Sequence, residues 1–423
     1  MAIAGFGLVA IGWAGRRTPA LYRAVALMLL NTVVLLAALE LGAAVLLRVI
    51  DPARPRENLE PGLQSVTSYH ATQSWGEEYL READQVQLNY RYHPYQLWRM
   101  APFVGRQIYV GADGLRRTPD AECVPGAYNV DVFGGSTVWG LGVPDWGTVP
   151  AYLQESLRRT LGRPVCVRNL GQLGLNSTQD LIALIGELRA GRTPDLAIFL
   201  SGVNEVITAA QTGGAGLHFD LEDIASRLEG HLKQRSRLEG HLNQQPEDSW
   251  NLGWVRRLNL YRLSSWIVTL GPRERTPVAS RDNDASEDLD TLAQSVVQVW
   301  LENYRMVEAL GREYRFAHAF FWQPNVVVGE KPRTDEEKQL RAGRRTETLF
   351  EAVTRRLSGI GAPEYRALHS LVNLFARDSA LRYLDWHHLT PEGNRIVAEA
   401  IVDSVMADGL SPQGPIARPP FGR

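Results

Sequence analysis

The sequence predicts an α/β protein whose parallel sheet is covered by helices on both faces and which is carried on an N-terminal membrane anchor. Four short runs are mainly apolar, and stretches with helical spacing of apolar residues lie between them. Strands without an exposed polar face are typical of a buried parallel sheet. A separate, nearly uncharged run, Ala24 to Leu47, is long enough to cross a bilayer.

The alternation of strands and helices gives the main domain its order. The predicted strands are Tyr128–Phe133, Val165–Arg168, Leu196–Leu200 and Phe316–Trp322, and the predicted helices are Pro150–Leu161, Thr178–Arg189, Leu292–Tyr314 and a closing helix, Pro391–Val402. Functional side chains of such sheets lie at the carboxyl ends of the strands. Polar motifs directly after these strands are therefore the candidates for chemistry.

The run from Ala24 to Leu47 would be a helix of about 36 Å. Arginines occur on both sides of it, so the charge bias gives only a weak orientation. We expect a cytoplasmic N-terminus and an external body, because no small-residue cleavage site follows the run. If the short apolar stretch Met1–Gly15 also spans the membrane, the body returns to the cytoplasm.

The chain divides into four predicted parts. Residues 1–50 form the anchor, 51–125 a linker and capping segment, 126–405 the main domain and 406–423 a tail. An insertion of the main domain, about 206–291, carries the repeat SRLEGHL at Ser226 and Ser236 and an aromatic-rich amphipathic segment, Leu252–Leu270. That segment is interpreted as a helix that packs on the core, covers the site or lies on a membrane surface.

Composition excludes some partners. The 45 Lys and Arg residues nearly balance 47 Asp and Glu residues, so the net charge is −2. This is not the positive charge that binding to nucleic acid requires. Two cysteines, Cys123 and Cys166, do not have the spacing of a zinc site. They form a disulfide if their segments are neighbours, or remain two buried thiols.

Four polar stretches follow the strand candidates or lie near the C-terminus: FGGST (133–137), NLGQLGLNS (169–177), SGVNE (201–205) and DWHHLTPEGN (385–394). A serine on a glycine-lined turn, such as Ser136, is open to attack on a carbonyl. Asp385 and His388 are three residues apart, which lets the carboxylate orient the imidazole. Thr390 and Pro391 are predicted to begin the closing helix.

This set resembles the four signature blocks of the SGNH, or GDSL-like, hydrolase superfamily over roughly Tyr128–Val402. The resemblance implies a three-layer α/β/α, flavodoxin-like fold with five parallel strands. HPYQLW (93–98) and GADGLRR (111–117) are similar to segments of membrane-anchored bacterial envelope members of the superfamily.

The resemblance also implies roles for single residues. Ser136 is the nucleophile, His388 the base and Asp385 its partner, while Ser136, Gly174 and Asn204 form the oxyanion hole. Neither a metal nor an organic cofactor is expected.

Two positions depart from the family pattern. Gly135 stands where the family usually has an Asp beside the nucleophile, and Glu205 replaces the Asp that follows the oxyanion asparagine.

Rival assignments exist within the same motifs. His387 is an alternative base, although its spacing points it away from the partner position of Asp385. Ser177 and Ser201 are alternative nucleophiles, but Ser177 suits the N-cap of the next helix and Ser201 lacks a preceding glycine pair. Four tryptophans, namely Trp139, Trp146, Trp322 and Trp386, either stack against sugars or pack in the core.

The sequence therefore predicts a serine esterase that removes an acyl group, such as O-acetyl, from a cell-envelope or exported glycan or lipid. An O-acetyltransferase acting on an exported polysaccharide is the alternative, because the same triad serves both reactions. A silent glycan-binding scaffold is the third possibility. We expect a single-pass protein of the bacterial inner membrane that faces the periplasm and works beside envelope polysaccharide machinery.

Overall fold

The structure is a computed structural model. It describes residues 19–50, 68–86, 89–121, 123–221, 224–226, 228, 285–360 and 365–410. The predicted second span (Met1–Gly15), the repeat copy at Ser236 and the amphipathic segment Leu252–Leu270 lie outside the described residues.

The chain forms two compact units. One comprises residues 1–59 and 234–280, and the other comprises residues 60–233 and 281–423. In the first unit the structure describes helix α1, Pro19–Ile50. The domain boundaries at residues 50, 125 and 405 stay predictions.

Helix α1 contains a stretch, Arg23–Ala43, that is long and apolar enough to cross a membrane. At 1.5 Å per residue its 21 residues span about 31 Å, which matches the hydrocarbon core of a bilayer. Large apolar side chains along it are exposed, among them Leu27, Leu35 and Leu41. Such exposure is unfavourable in water, and it is the surface that lipid would cover.

The second unit is built on one parallel sheet of five strands: β5 (Tyr128–Gly134), β6 (Val165–Asn169), β7 (Leu196–Ser201), β8 (Ala317–Trp322) and β9 (Leu368–Ser370). Their order across the sheet is β6-β5-β7-β8-β9, and every neighbouring pair is parallel. This is the flavodoxin-like strand order, in which the chain reverses direction across the sheet between its first and third strands. The predicted fold class is confirmed.

Helices cover this sheet: α4 (Val149–Leu161), α5 (Ser177–Arg189), α6 (Val203–Thr212), α7 (Ala285–Tyr314), α8 (Arg344–Leu357) and α9 (Pro391–Ala407). Helices α4 and α9 pack together, while α7 packs against α5, α6 and α8. The sheet interior is almost entirely apolar; Phe133, Phe199 and Phe320 stack in register across three strands. This core holds the carboxyl ends of β5 and β7 in fixed places.

The predicted strands and helices are found, with ends shifted by a few residues. The closing helix begins as predicted, since the Thr390 hydroxyl accepts a hydrogen bond from the Gly393 N–H and Pro391 follows the cap. The cap of α5 was predicted one residue too late. Asn176, not Ser177, is the N-cap, and it forms a capping box with Gln179.

The capping segment forms small elements of its own: α2 (Gly76–Val86), a hairpin of β1 (Tyr90–His93) with β2 (Leu97–Met100), and a hairpin of β3 (Phe103–Val104) with β4 (Tyr109–Val110). The first hairpin is tied to helix α5, because the Gln179 side chain donates to the Gln96 carbonyl at 2.9 Å.

Cys123 and Cys166 form a disulfide, so the question left open by the sequence is resolved in favour of the bridge. Cys166 lies in β6, and the bond therefore fastens the end of the capping segment to an edge strand of the sheet.

Candidate active site

Ser136 lies directly after the central strand β5, as the first residue of the short helix α3, Ser136–Trp139. The strand ends at Gly134 with φ +155°, and a Cβ there would lie only 2.3 Å from the Leu200 carbonyl oxygen. Only glycine permits this close turn. The turn therefore presents Ser136 at the carboxyl end of the sheet.

Ser136 and His388 meet although 252 residues separate them. The His388 Nε2 lies 2.7 Å from the Ser136 Oγ, and the His388 Nδ1 lies 2.5 Å from an oxygen of Asp385. All three side chains are buried, with at most 8% of each residue exposed. The structure thus brings together the three residues that the resemblance names as a triad.

Asp385 is held as a carboxylate. Burial alone would raise its pKa, but the imidazoles of His388 and His387 and the hydrogen bonds from His388 outweigh burial and hold the pKa well below its usual range. One carboxylate oxygen accepts the backbone N–H groups of His387 and His388 at 2.8 and 2.7 Å, which leaves the other for the His388 ring. This arrangement places the Nδ1 proton of His388 toward Asp385 and leaves Nε2 to face the serine.

His387 has a different environment. Its ring lies against Trp386 and His388, with centroid distances of 4.1 and 3.8 Å, and its buried Nδ1 makes no hydrogen bond although it lies 3.4 Å from an oxygen of Asp385. Burial and the neighbouring His388 lower the pKa of His387 to about 3, so the ring is neutral. His387 therefore lies close to Asp385, nearer than the spacing predicted, but the hydrogen bonds that link Asp385 and Ser136 go to His388.

Asp385, His387 and His388 place ligand-type atoms within 4.8 Å of one another, an arrangement that also occurs in metal sites. Both nitrogens of His388, however, are engaged by Asp385 and Ser136. The contacts therefore favour proton transfer between Ser136, His388 and Asp385 over coordination of a metal ion.

The candidate oxyanion donors converge on the same turn. The Asn204 Nδ2 donates to the Leu175 carbonyl at 2.7 Å and lies against the backbone of Gly135. The Leu175 carbonyl is also next to Gly135, which brings the turn containing Gly174 beside the nucleophile turn. Gly174 has φ +74°, a conformation that L side chains rarely adopt. Ser136, at the start of α3, has a backbone N–H that the helix does not use.

Packing explains why position 135, where the family usually has an Asp, is a glycine in this chain. A Cβ at this position would lie 2.1 Å from the Asn204 Nδ2 and 3.1 Å from the Leu175 carbonyl oxygen. Any side chain would push away the Asn204 amide. Glycine therefore suits the close approach of Asn204 to the nucleophile turn.

The departure at Glu205 is explained by two hydrogen bonds. One oxygen of Glu205 accepts the Ser177 N–H at 2.6 Å and the other accepts the Gly202 N–H at 2.7 Å. The side chain thus joins the start of helix α5 to the turn between β7 and α6. Burial raises the pKa of Glu205, and these backbone donors offset part of that rise.

The rival serines are committed to structural contacts. The Ser177 hydroxyl accepts from Asn303, and the Ser201 hydroxyl accepts from the indole of Trp300 at 2.9 Å. Among the described residues, neither hydroxyl has a hydrogen bond to a histidine. The sequence argument against both is consistent with this geometry.

Three of the four tryptophans considered for sugar stacking are core residues: Trp139 and Trp322 are fully buried, and 4% of Trp386 is exposed. For these three the stacking hypothesis is wrong, because the parallel sheet and its covering helices enclose them. Trp146 is 47% exposed and lies against Trp75.

Other buried residues hold the nucleophile turn in place, and no role was predicted for them from the sequence. Asn169 donates to the Val138 carbonyl at 3.0 Å, and the Gln172 backbone N–H donates to the Gly134 carbonyl at 3.1 Å. The buried guanidinium of Arg116 donates to the carbonyls of Trp139, Gly140 and Val143. A signal was present for both residues, because Asn169 opens the second block and Arg116 lies in GADGLRR (111–117), but neither segment indicates which turn its side chain contacts.

Comparisons with known proteins give a fold likeness only. No family model and no curated protein match the chain. Among solved structures it is similar to the acetyl xylan esterase AlAXEase, at 15% identity and TM-score 0.33, over 66% of this chain and 99% of that one. The lipase Lip_vut3 from a goat rumen metagenome matches at 11% identity and TM-score 0.36, over 67% and 98% of the two chains.

A putative lipolytic protein of the G-D-S-L family from Desulfitobacterium hafniense DCB-2 is similar at 10% identity and TM-score 0.30, over 67% of this chain and 99% of that one. The activities in these names are those of the neighbours. The class that this chain's own strand order defines is a flavodoxin-like α/β fold with a Ser-His-Asp row at the carboxyl end of its sheet.

Proposed function

We propose that the chain is a serine esterase that hydrolyses an O-acyl ester. The observation that carries the proposal is the continuous hydrogen-bonded row from the Ser136 hydroxyl through His388 to Asp385. An alcohol with an imidazole at 2.7 Å and a carboxylate on the other side of that imidazole is the arrangement that activates a serine nucleophile.

In the acylation step, the Ser136 oxygen attacks the ester carbonyl while His388 accepts the hydroxyl proton at Nε2. The carboxylate of Asp385 stabilises the imidazolium that forms. The carbonyl oxygen gains negative charge and is met by the Asn204 amide and the backbone N–H groups of Ser136 and Gly174. His388 then gives its proton to the leaving alcohol, and an acyl-serine remains.

Water completes the reaction by the same route. His388 takes a proton from water, the resulting hydroxide attacks the acyl-serine, and the carboxylic acid leaves as Ser136 regains its proton. A sugar hydroxyl in place of water would give acyl transfer. Product analysis in the presence of a sugar acceptor separates hydrolysis from transfer.

Replacement of Ser136 tests the proposal. Ser136→Ala should lower turnover of 4-nitrophenyl acetate by about 10³-fold or more. Ser177→Ala and Ser201→Ala are matched controls, since each removes one buried hydroxyl near the same turns, and both should stay within a few-fold of the wild type. Equal turnover by wild type and Ser136→Ala would exclude the nucleophile assignment.

We further propose that helix α1 anchors the enzyme with its body outside the cytoplasm. The disulfide between Cys123 and Cys166 supports this side, because such bonds persist in oxidising compartments. A membrane-impermeant serine probe applied to intact cells should label Ser136 in this arrangement. Labelling only after lysis would place the body in the cytoplasm.

A further inference from the structure

A row of aromatic side chains leads to the candidate oxyanion turn. It consists of Tyr90, Tyr92 and Trp98 of the first hairpin and Phe219 of the insertion, and we call it the aromatic platform. Tyr92 is 79% exposed and Tyr90 is 46% exposed, while Trp98 and Phe219 are partly exposed. Exposed aromatic side chains grouped in this way mark a candidate ligand-binding surface.

The strand register places the hairpin members on one face. Tyr92 lies directly opposite Trp98 in the antiparallel ladder, so the two side chains project to the same side. Tyr90 is two residues from Tyr92 on the same strand and shares that side. Tyr90, Tyr92 and Trp98 therefore share one face of the hairpin, on which Met100, the partner of Tyr90, is buried.

The inner end of the platform touches the oxyanion turn. A Cβ built on Gly174 would lie 3.6 Å from Cζ2 of Trp98 and 3.9 Å from Phe219. The Trp98 indole N–H donates to the Leu173 carbonyl at 2.8 Å, which fixes the ring beside Gly174. Two chain segments outside the sheet thus supply the walls of the turn that is proposed to bind the ester.

Phe219 is held in place from the sheet side. The Asn176 amide donates to the Leu217 carbonyl at 2.6 Å, and Asn176 is also the N-cap of helix α5. The same residue that starts the helix after the oxyanion turn therefore fixes the segment that carries Phe219. This connection gives the platform a defined position relative to Gly174.

We infer that the aromatic platform binds the sugar rings of an acylated glycan chain, so that the substrate is an oligosaccharide or polysaccharide ester. The inference rests on the proposed function. Flat rings that are open to water suit a ligand with apolar C–H faces and polar edges, which describes a sugar. A long acyl chain would need an enclosed apolar channel, whereas this surface is open and bears tyrosine hydroxyls.

Binding to the full chain in detergent tests the inference without requiring turnover. The probes are O-acetylated tetrasaccharides with xylose, glucose or mannose backbones, titrated by calorimetry into Ser136→Ala. We expect at least one tetrasaccharide to bind, and the double variant Ser136→Ala/Tyr92→Ala to bind it about tenfold more weakly. Tyr92 projects into solvent, so its loss should not affect folding.

Tyr95 provides the matched control. It is 76% exposed in the turn of the same hairpin, but outside the platform. Ser136→Ala/Tyr95→Ala should bind the tetrasaccharide as Ser136→Ala does. Equal losses at Tyr92 and Tyr95, or no binding of any tetrasaccharide, would overturn the inference.

Kinetics of the wild-type active site separates this inference from the proposed function. If the enzyme cleaves 4-nitrophenyl acetate but shows no preference for acetylated tetrasaccharides over acetylated monosaccharides, the esterase stands and the platform assignment fails. If tetrasaccharides bind through Tyr92 but no ester is cleaved, the platform stands and the esterase fails. A preference for long-chain acyl esters would identify a lipid substrate and overturn the glycan assignment.

Discussion

One buried arginine, Arg116, joins the capping segment to the turn that follows Ser136. Its side chain is fully buried and pairs with Asp145 at 2.8 Å, while its remaining N–H groups donate to three backbone carbonyls. It also lies over the Trp139 ring, 4.4 Å from the ring centroid. Arg116→Met keeps an unbranched apolar stem and removes the guanidinium, with its charge and all of its donors.

The expected loss of unfolding free energy follows from the buried groups that the substitution leaves without a partner. Asp145 becomes a buried carboxylate without the guanidinium at 2.8 Å, although it keeps the Tyr109 N–H at 3.0 Å and the more distant Arg117 at 4.0 Å. Removing one partner of a buried, hydrogen-bonded ion pair typically costs about 3–5 kcal/mol. Turnover should also fall, because the carbonyl of Ser136 accepts the N–H groups of Gly140 and Leu141 in the same turn.

Denaturant unfolding of the full chain in detergent, followed by tryptophan fluorescence, measures the change. Arg81→Met is the control, since Arg81 pairs with Glu77 on the surface, where both side chains are more than half exposed, and its loss should cost about 0–1 kcal/mol. The double variant Arg116→Met/Asp145→Asn should lose less unfolding free energy than the two single variants lose together. If Arg116→Met and Arg81→Met lowered the unfolding free energy equally, the structural role of the buried Arg116–Asp145 pair would be refuted.

Four other predictions concern single groups. Asn204→Ala should lower turnover of an aryl acetate by about 10²- to 10³-fold in steady-state kinetics, and wild-type turnover would remove Asn204 from the oxyanion site. Asp180→Asn should raise the unfolding free energy at pH 8 by roughly 1–3 kcal/mol, because burial and the nearby buried Glu205 raise the pKa of Asp180 well above its usual value. Since a raised folded-state pKa gives stability that is lost as pH rises, this gain should shrink in acid, and a gain independent of pH would contradict it. The pKa of about 3 for His387 in the folded protein is below its unfolded value of about 6.5, so between these pH values the unfolded chain binds one more proton at this residue. The unfolding free energy should therefore fall as the pH drops from about 6.5 to about 3. In His387→Asn, unfolding measured across this range should show a smaller fall. Replacing both Cys123 and Cys166 by Ala should lower the unfolding free energy by about 4 kcal/mol, because the bond closes a loop with a sequence separation of 43, and an unchanged denaturation midpoint would argue against the bridge.

The sheet was predictable because its central strands are buried on both faces. Strand β7 therefore appears in the sequence as an apolar run and β5 as a mainly apolar run that includes Asn129 and Asp131, and the observed strands match both closely. Strand β9 was not located, since three residues, two of them half-buried, leave no periodic signal. The Asp385–His388 turn was predictable because its contacts are local.

The surroundings of the site were not predictable in the same way. Arg116 and Trp98 act from the capping segment, and Phe219 acts from the insertion, so their places depend on long-range packing. Burial also decided against three of the four tryptophans first considered for sugar stacking. Short sequence patterns state which side chains are present, but only the folded chain determines which of them face the turn around Gly174.

Covalent labelling tests the central claim most directly. The full chain in detergent would be treated with a fluorophosphonate, digested and analysed by mass spectrometry. The account predicts one adduct, located on Ser136 and abolished in His388→Ala, because the serine needs the imidazole to accept its proton. An unlabelled protein, or an adduct on Ser177 or Ser201 instead, would contradict it.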